Sequence, residues 1–358
     1  MSRWAVVLLA AAGVSVLCGC AQPTPTEPLG PPVAIRAEHL TVTPATGPVT
    51  HVLVRNLRNQ PYEGAVIAKF PDAWKMNRTR QEVAIAPGQT ARVPFAIEKG
   101  ANAASNLYRV RVKAVGAGEE VSADQWIVCA SAPYFKPKID GRIDDWNDAI
   151  PVTFATGSKQ TVVRTYWSRR SFSLLVAVEE NALYPLPQTN AAAGFDAVQI
   201  AISPREAVTP TSDDKAAQRY ELVLAAVAGP GGRMDAKCFA LIRPGVKLAA
   251  AQQARPLAGL ELADAEIAVV HKDGVTYYEC SIPFQAIRAI RPDPGREFCF
   301  SVLVHDPDGT GLRDWGKAAG LWPSQRSRLA WCSWLGARWP AQPPFDNKIE
   351  WGFCSSRQ

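Results

Sequence analysis

A chain of 358 residues with 39 Lys and Arg against 33 Asp and Glu carries a formal charge of only +6. Its basic residues are scattered among carboxylates with no basic block, which excludes the concentrated positive face that a nucleic-acid partner requires. The cysteines beyond residue 20, Cys129, Cys238, Cys280, Cys299, Cys332 and Cys354, form no CxxC pair and no Cys/His cluster, which excludes zinc and dithiol redox sites of the usual spacing.

In chain order, Arg3 is followed by an uncharged, mostly apolar run from Trp4 to Leu17. That run fits the core of an export signal and falls short of the roughly 18 to 20 residues that span a bilayer. Leu17-Cys18-Gly19-Cys20 then resembles the lipobox of bacterial lipoproteins. The resemblance implies that residues 1–19 are removed as a signal peptide and that Cys20 is acylated, its several acyl chains giving a stable membrane anchor. Ala21 in place of Asp after the cysteine implies the outer membrane. The stretch 20–32, "CAQPTPTEPLGPP", is proline-rich and reads as a semi-stiff tether. In an exported chain the six remaining cysteines permit up to three disulfides, with the pairing open.

After the tether the chain is long enough for two domains at about 100 to 200 residues each. Residues 33–129 read strand after strand, with "HVLVRN", "GAVIAKF", "EVAIAPGQTARVPFAI" and "NLYRVRVKAV" separated by Pro, Gly and Asn turns. In the last of these Tyr108, Val110 and Val112 alternate with Arg109, Arg111 and Lys113, so one face is buried and one wet. Residues 130–358 are again strand-dominated, with "SFSLLVAVEE", "DAVQIAI", "RYELVLAAV", "YYECSIPF" and "EFCFSVLVHD" and no long helices between them. The fold class is therefore all-β: two consecutive antiparallel β-sandwich domains.

The first of these regions resembles the immunoglobulin-like or fibronectin-like domains found beside bacterial glycoside hydrolases, through the "VRN" strand end, "PDAW", "APGQT" and "YRVRV". Trp74 within "PDAW" reads as a packing residue, since large aromatics mostly supply burial. The second region resembles the family 9 carbohydrate-binding module from about Tyr134 to Leu335. Its carriers, in order, are "PKIDGRIDDW", "VVRTYWSRRSFSLLVAVEE", "GFDAVQIAI", "YYECSIPF" and "PGREFCFSVLVHDPDG".

That resemblance implies non-catalytic binding of a polysaccharide or glycan end. Such a site needs flat apolar rings for sugar faces and a few fixed polar groups for hydroxyls. The tryptophans Trp315, Trp322, Trp331, Trp334, Trp339 and Trp351 crowd the C-terminal segment, among Arg313, Gln325, Arg326, Arg328 and Arg338. Trp322 is the expected stacking ring, Gln325 and Arg326 the hydroxyl partners, and Trp315 and Asp196 further members of the site. In family 9 modules a second tryptophan completes a clamp, and here Ala193 occupies its place. Phe195 and Tyr184 are the nearby aromatics.

Two other readings compete. A sandwich that has lost its sugar site would serve as a structural or protein-docking module. A divergent glycoside hydrolase would need two carboxylates flanking the bond at about 5 to 10 Å, for which Asp196, Glu279 and Asp306 are candidates by type alone. No GxSxG occurs and the histidines His39, His51, His271 and His305 show no triad context, so no enzyme is expected. No cofactor is expected either. A calcium reading rests on Asp306 and Asp308 in "HDPDGTG", which supply part of a loop, and a remoter haem reading on Met234 and His271, by resemblance to a related sandwich, the cytochrome domain of cellobiose dehydrogenase. The three aspartates of "KPKIDGRIDDW", Asp140, Asp144 and Asp145, read as a turn that opens the sandwich, with Trp146 as its anchor.

Overall fold

The structure, a computed structural model, describes residues 30–116, 118–186, 194–206, 218–246, 259–315 and 349–355. The chain is all-β, built from antiparallel sheets, and no α-helix occurs among the described residues. Residues 1–29, where the signal peptide, Cys20 and most of the tether are expected, lie outside the described residues.

Eight strands make the first pair of sheets: β1 (Val33–Ala37), β2 (Val49–Asn56), β3 (Tyr62–Lys69), β4 (Lys75–Met76), β5 (Arg80–Ile85), β6 (Thr90–Lys99), β7 (Tyr108–Gly116) and β8 (Glu119–Ile127). One sheet runs β1-β2-β6-β4 and the other β5-β3-β7-β8. The alternation in β7 does what its period dictates. Tyr108, Val110, Val112 and Ala114 enter the core between the sheets, while Arg109 and Arg111 point outward and pair with Asp124 on β8. Trp74 is buried, stacked on Phe70 at 6.0 Å, and its indole N–H donates to the Ala101 carbonyl at 3.0 Å.

The remaining strands are β9 (Ser131–Ala132), β10 (Val152–Thr156), β11 (Lys159–Trp167), β12 (Ser171–Glu179), β13 (Ala197–Pro204), β14 (Tyr220–Ala228), β15 (Met234–Ile242), β16 (Glu266–Lys272), β17 (Val275–Pro283), β18 (Glu297–Asp306), β19 (Gly311–Asp314) and β20 (Glu350–Phe353). A five-stranded sheet, β10-β11-β12-β17-β16, faces a larger one ordered β15-β14-β13-β18-β20-β9, with β19 paired to β18. In β18 the even positions Phe298, Phe300, Val302 and Val304 fill the space between the sheets. Leu303 instead joins a separate apolar cluster on the outer side with Phe195, Ala201, Val223 and Leu241. Strands such as β13 and β14 are thus apolar on both faces because both faces are covered.

The aspartate-rich opening folds as a turn. Gly141 sits at φ 81°, a left-handed conformation glycine adopts without cost. Asp140 accepts the Arg142 N–H and Asp145 accepts the Lys138 N–H. Trp146, in a 3₁₀ turn over Asp144–Trp146, does not enter the central core. It covers the outer face of the five-stranded sheet with Tyr166 and Leu175, stacked on the Tyr166 ring at 5.3 Å.

Pro32–Gln358 forms one compact unit, and the contact between its two sandwiches is specific. Leu40 pairs with Val128 and Ala130 through backbone hydrogen bonds of 2.9 and 2.7 Å. At Gly352 a β-carbon would lie 2.2 Å from the Thr41 carbonyl, so only glycine permits this approach. Arg36 bonds Glu350 across the seam, and Glu297 accepts both Arg92 and Arg205 at 3.1 Å. The buried Glu38 also takes Arg92 and Arg205. Charged groups removed from water are tolerated only when paired in this way.

Cys129, Cys238 and Cys280 are buried thiols and Cys354 a half-buried one, with no disulfide among them. Cys238 and Cys280 come from opposite sheets and lie thiol to thiol within the same core.

Candidate functional site

Where β12, β13 and β18 meet at one end of the second sandwich, three acidic side chains converge. Glu180 follows the last residue of β12, Asp196 precedes the first residue of β13, and Asp306 closes β18. The β13–β18 register, with Ala197 opposite His305, brings Asp196 beside Asp306 from within one sheet. Glu180 arrives from the other sheet, its N–H bonded to the Gly274 carbonyl at 3.0 Å. That carbonyl belongs to the Asp273-Gly274 hairpin, both of whose residues have positive φ, the turn that suits the strand twist. One oxygen from each of the three carboxylates lies within 4.8 Å of the others, and all three residues are buried.

Their surroundings differ. Asp306 is well supplied with donors: Thr310 N–H at 2.9 Å, Thr310 hydroxyl at 2.8 Å and Arg313 at 2.6 Å. Burial alone would raise its pKa, but these donors outweigh burial and hold it below the ordinary carboxylate value. Asp196 has one oxygen on the Tyr184 N–H at 2.6 Å, and its own N–H returns to the Tyr184 carbonyl at 2.9 Å. Among the described residues its other oxygen has no donor. Glu180 has the Thr276 side chain within hydrogen-bonding reach and no other donor among the described residues. Burial is the main cause that pushes Glu180 up to about 8, with Asp196 and Asp306 adding repulsion and Thr276 and Arg313 opposing it. Burial likewise pushes Asp196 up to about 7, against the Tyr184 N–H, with Asp308 and Asp306 reinforcing it. The Tyr278 hydroxyl, fully buried and without a hydrogen-bond partner among the described residues, lies close enough to feel the charge of the same three acids.

Among the described residues, Arg313 is the cation paired at this end. It is fully buried, and besides Asp306 its guanidinium donates to the carbonyls of Glu179 at 2.6 Å and Gln160 at 3.1 Å and to the Thr310 hydroxyl at 2.7 Å. It therefore ties the exit of β18 to strands of the facing sheet.

The residues singled out in the sequence fall in different places. Asp196 is 0% exposed, so it belongs to this buried cluster and is closed to a sugar hydroxyl at the surface. Trp315 is 6% exposed, stacked with His39 at 5.6 Å and edge-on to Trp351 at 5.5 Å; it is a packing ring, without the open face that stacking on a sugar requires. Trp351 is fully buried as well. Trp322, Gln325, Arg326 and Ala193 lie outside the described residues. Phe195 is buried in the outer apolar cluster, whereas Tyr184 is 49% exposed.

Glu279 is not near Asp196 and Asp306 in function. Its two oxygens are taken by the Trp146 indole N–H at 2.7 Å and the Gly141 N–H at 2.6 Å, which makes it the clasp of the opening turn. Asp308 is exposed, and the turn it shares with Asp306 serves chiefly to bring Thr310 onto Asp306. The member that sequence reading did not single out is Glu180. Its only signal was a strand that ends in two acids, "VEE", and the partner that gives it meaning lies on another sheet.

No family model and no curated protein matches this sequence. Among solved structures the chain is similar to a family 9 carbohydrate-binding module from Caldicellulosiruptor kristjanssonii in complex with glucose, at 14% identity and a TM-score of 0.36, over 63% of this chain and 94% of that one. A structure of a family 9 module from the same organism with cellotriose is similar at 16% identity and a TM-score of 0.34, over 59% and 98% of the two chains. A FixG-related protein from Vibrio parahaemolyticus is similar at 14% identity and a TM-score of 0.21, over 28% and 97%.

Proposed function

We propose that the chain is an exported, lipid-anchored protein whose second sandwich binds a polysaccharide or glycan end without catalysis. The observation that supports it is Tyr184, an aromatic ring left 49% exposed on a backbone locked to Asp196 by a reciprocal pair of hydrogen bonds. A flat ring on a rigid mount suits stacking against the C–H face of a sugar. Trp322, Gln325 and Arg326 of the C-terminal segment remain the other proposed contacts. Cys20 is the proposed lipid attachment, with the outer membrane as the proposed location. The burial of Asp196, Glu279 and Asp306, the first two at 0% exposure, speaks against a glycosidase, whose carboxylates must reach the bond they cleave. In the oxidising compartment that export implies, Cys238 and Cys280, whose thiols lie against each other, are the proposed disulfide pair.

A second reading has its own observation. The welded seam of Arg36, Arg92 and Arg205 with Glu38, Glu297 and Glu350 makes a stiff two-sandwich unit of the kind that a docking or spacer protein uses.

A glycan array on the chain beginning after Cys20, compared with Tyr184→Ala and Trp322→Ala, tests both readings. Binding that is lost in either variant supports the sugar site and names its ring. Absence of binding to every glycan overturns it in favour of docking.

A further inference from the structure

The outer face of the β5-β3-β7-β8 sheet carries an aromatic ring that the fold does not use. Trp126, near the end of the edge strand β8, is 61% exposed, the most open of the large apolar side chains among the described residues. Trp74, Trp146, Trp167 and Trp351 are buried and donate their indole N–H groups to Ala101, Glu279, Cys354 and Thr165. Among the described residues no ring stacks on Trp126 and nothing accepts its N–H. Its mount is nonetheless firm. The Gln125 side chain accepts the Ala37 N–H at 2.7 Å, and two residues beyond the ring the Val128 N–H donates to His39 Nδ1 at 3.1 Å. β8 is thus tied to the β1 segment on both sides of Trp126. A large aromatic left in water forgoes its burial, and a firmly held, open one marks a surface that a ligand covers.

The charges around the ring indicate the ligand. Arg109 stands directly opposite Trp126, and Arg111 directly opposite Asp124, so all four share the outer face. Asp124 takes Arg109 in a two-point bond of 2.8 and 2.5 Å and also accepts Arg111 Nε at 3.3 Å. The cations next to Arg111, Lys69 and Lys113, have acids of their own in Asp72 and Glu120. Two guanidinium groups therefore share one carboxylate, which leaves a positive charge beside the ring. Arg111 spends only its Nε on Asp124, and its two Nη groups are left for a ligand.

We propose that this face binds an acidic polysaccharide, one sugar lying on the Trp126 ring with its carboxylate on Arg111. An indole takes the C–H face of a sugar, and the planar fork of an arginine matches a carboxylate at two points. Asp124 and the free indole N–H offer an acceptor and a donor to the hydroxyls. A protein partner fits less well, because it would strip water from Arg109, Arg111 and Asp124, whereas a sugar brings hydroxyls to them. The proposal rests on the reading of the chain as glycan-binding, but it names the charge of the glycan and lies on the other sandwich from Tyr184.

Affinity electrophoresis tests it, with the chain beginning after Cys20 run through gels containing polygalacturonate, alginate, xylan or a neutral β-glucan. Trp126→Ala, Arg111→Gln and Tyr184→Ala run beside the wild type. Trp126 and Arg111 are exposed, so their variants are expected to melt with the wild type. An acidic polymer is expected to retard the wild type more than a neutral one, and less as salt rises from about 50 to about 500 mM. Trp126→Ala is expected to weaken that binding on the order of tenfold, and Arg111→Gln to remove the preference for acidic polymers. Equal retardation of wild type and Trp126→Ala by the acidic polymers overturns the proposal, reduces that binding to net charge and leaves the ring to a protein partner. The reading of the second sandwich survives that result if Tyr184→Ala still abolishes retardation by a neutral polymer. Retardation by neutral polymers alone, lost in Trp126→Ala, overturns the choice of an acidic ligand. No retardation of the wild type by any polymer overturns both the proposal and the glycan-binding reading on which it rests.

Discussion

Arg313 and Asp306 form a salt bridge of 2.6 Å in which both side chains are almost wholly withdrawn from solvent. The pair does more than neutralise itself, because the same guanidinium reaches backbone carbonyls on the facing sheet. Removing one member of a buried pair leaves the other uncompensated, at roughly 3 to 5 kcal/mol. Arg313→Met is therefore expected to lose about that much stability in chemical denaturation. A loss below about 1 kcal/mol would show that the arginine is dispensable to the fold.

Acid should weaken the seam between the sandwiches through His39. Its Nδ1 accepts the Val128 N–H at 3.1 Å, so the ring is neutral there. Burial, with Arg36 adding to it and Glu350 opposing, depresses its pKa to about 4. The folded state thus resists a proton that the unfolded state takes near the ordinary histidine value of about 6.5. The contribution is complete above about pH 6.5 and is lost as pH falls from there to about 4, amounting to on the order of 1 to 2 kcal/mol for a ring that keeps some solvent contact. His39→Asn keeps an acceptor without a titrating group. Melting temperatures across this window are expected to fall less steeply in the variant, and parallel slopes would assign the acid sensitivity to other groups.

The Trp146–Glu279 contact predicts a double-mutant coupling. Trp146→Phe keeps an aromatic ring over Tyr166 but deletes the N–H that reaches Glu279 at 2.7 Å, at an expected cost of about 1 to 3 kcal/mol. In the Glu279→Gln background the same change should cost less, since no buried charge is then deprived of its donor. Equal costs in the two backgrounds would mean that Trp146 acts only by packing.

Much of the architecture was readable because strands announce themselves by a period of two. Phe298, Phe300, Val302 and Val304 went to one side of β18 and Leu303 to the other, as their spacing requires. Trp74 and the aspartate turn before Trp146 were legible for a similar reason, since turn residues and large aromatics have local preferences. The site was much less legible. The sequence offers Asp196 as a sugar contact and Asp306 as part of a calcium turn, whereas the structure makes them neighbours in one buried cluster with Glu180. Trp315, one of the tryptophans in a conspicuous cluster, proved to be core.

The main strand segments, the inward faces of several of them and the all-β class were legible in the sequence, because each follows from local periodicity and from the burial of apolar side chains, whereas the order of strands in the sheets came from the fold. Which carboxylates share a site was decided only by tertiary structure. Glu180, Asp196 and Asp306 are separated by many residues and joined through two sheets, one pairing register and a hairpin. Whether an acid is a surface ligand or a buried charge depends on what closes over it, and that is a property of packing which no local pattern contains.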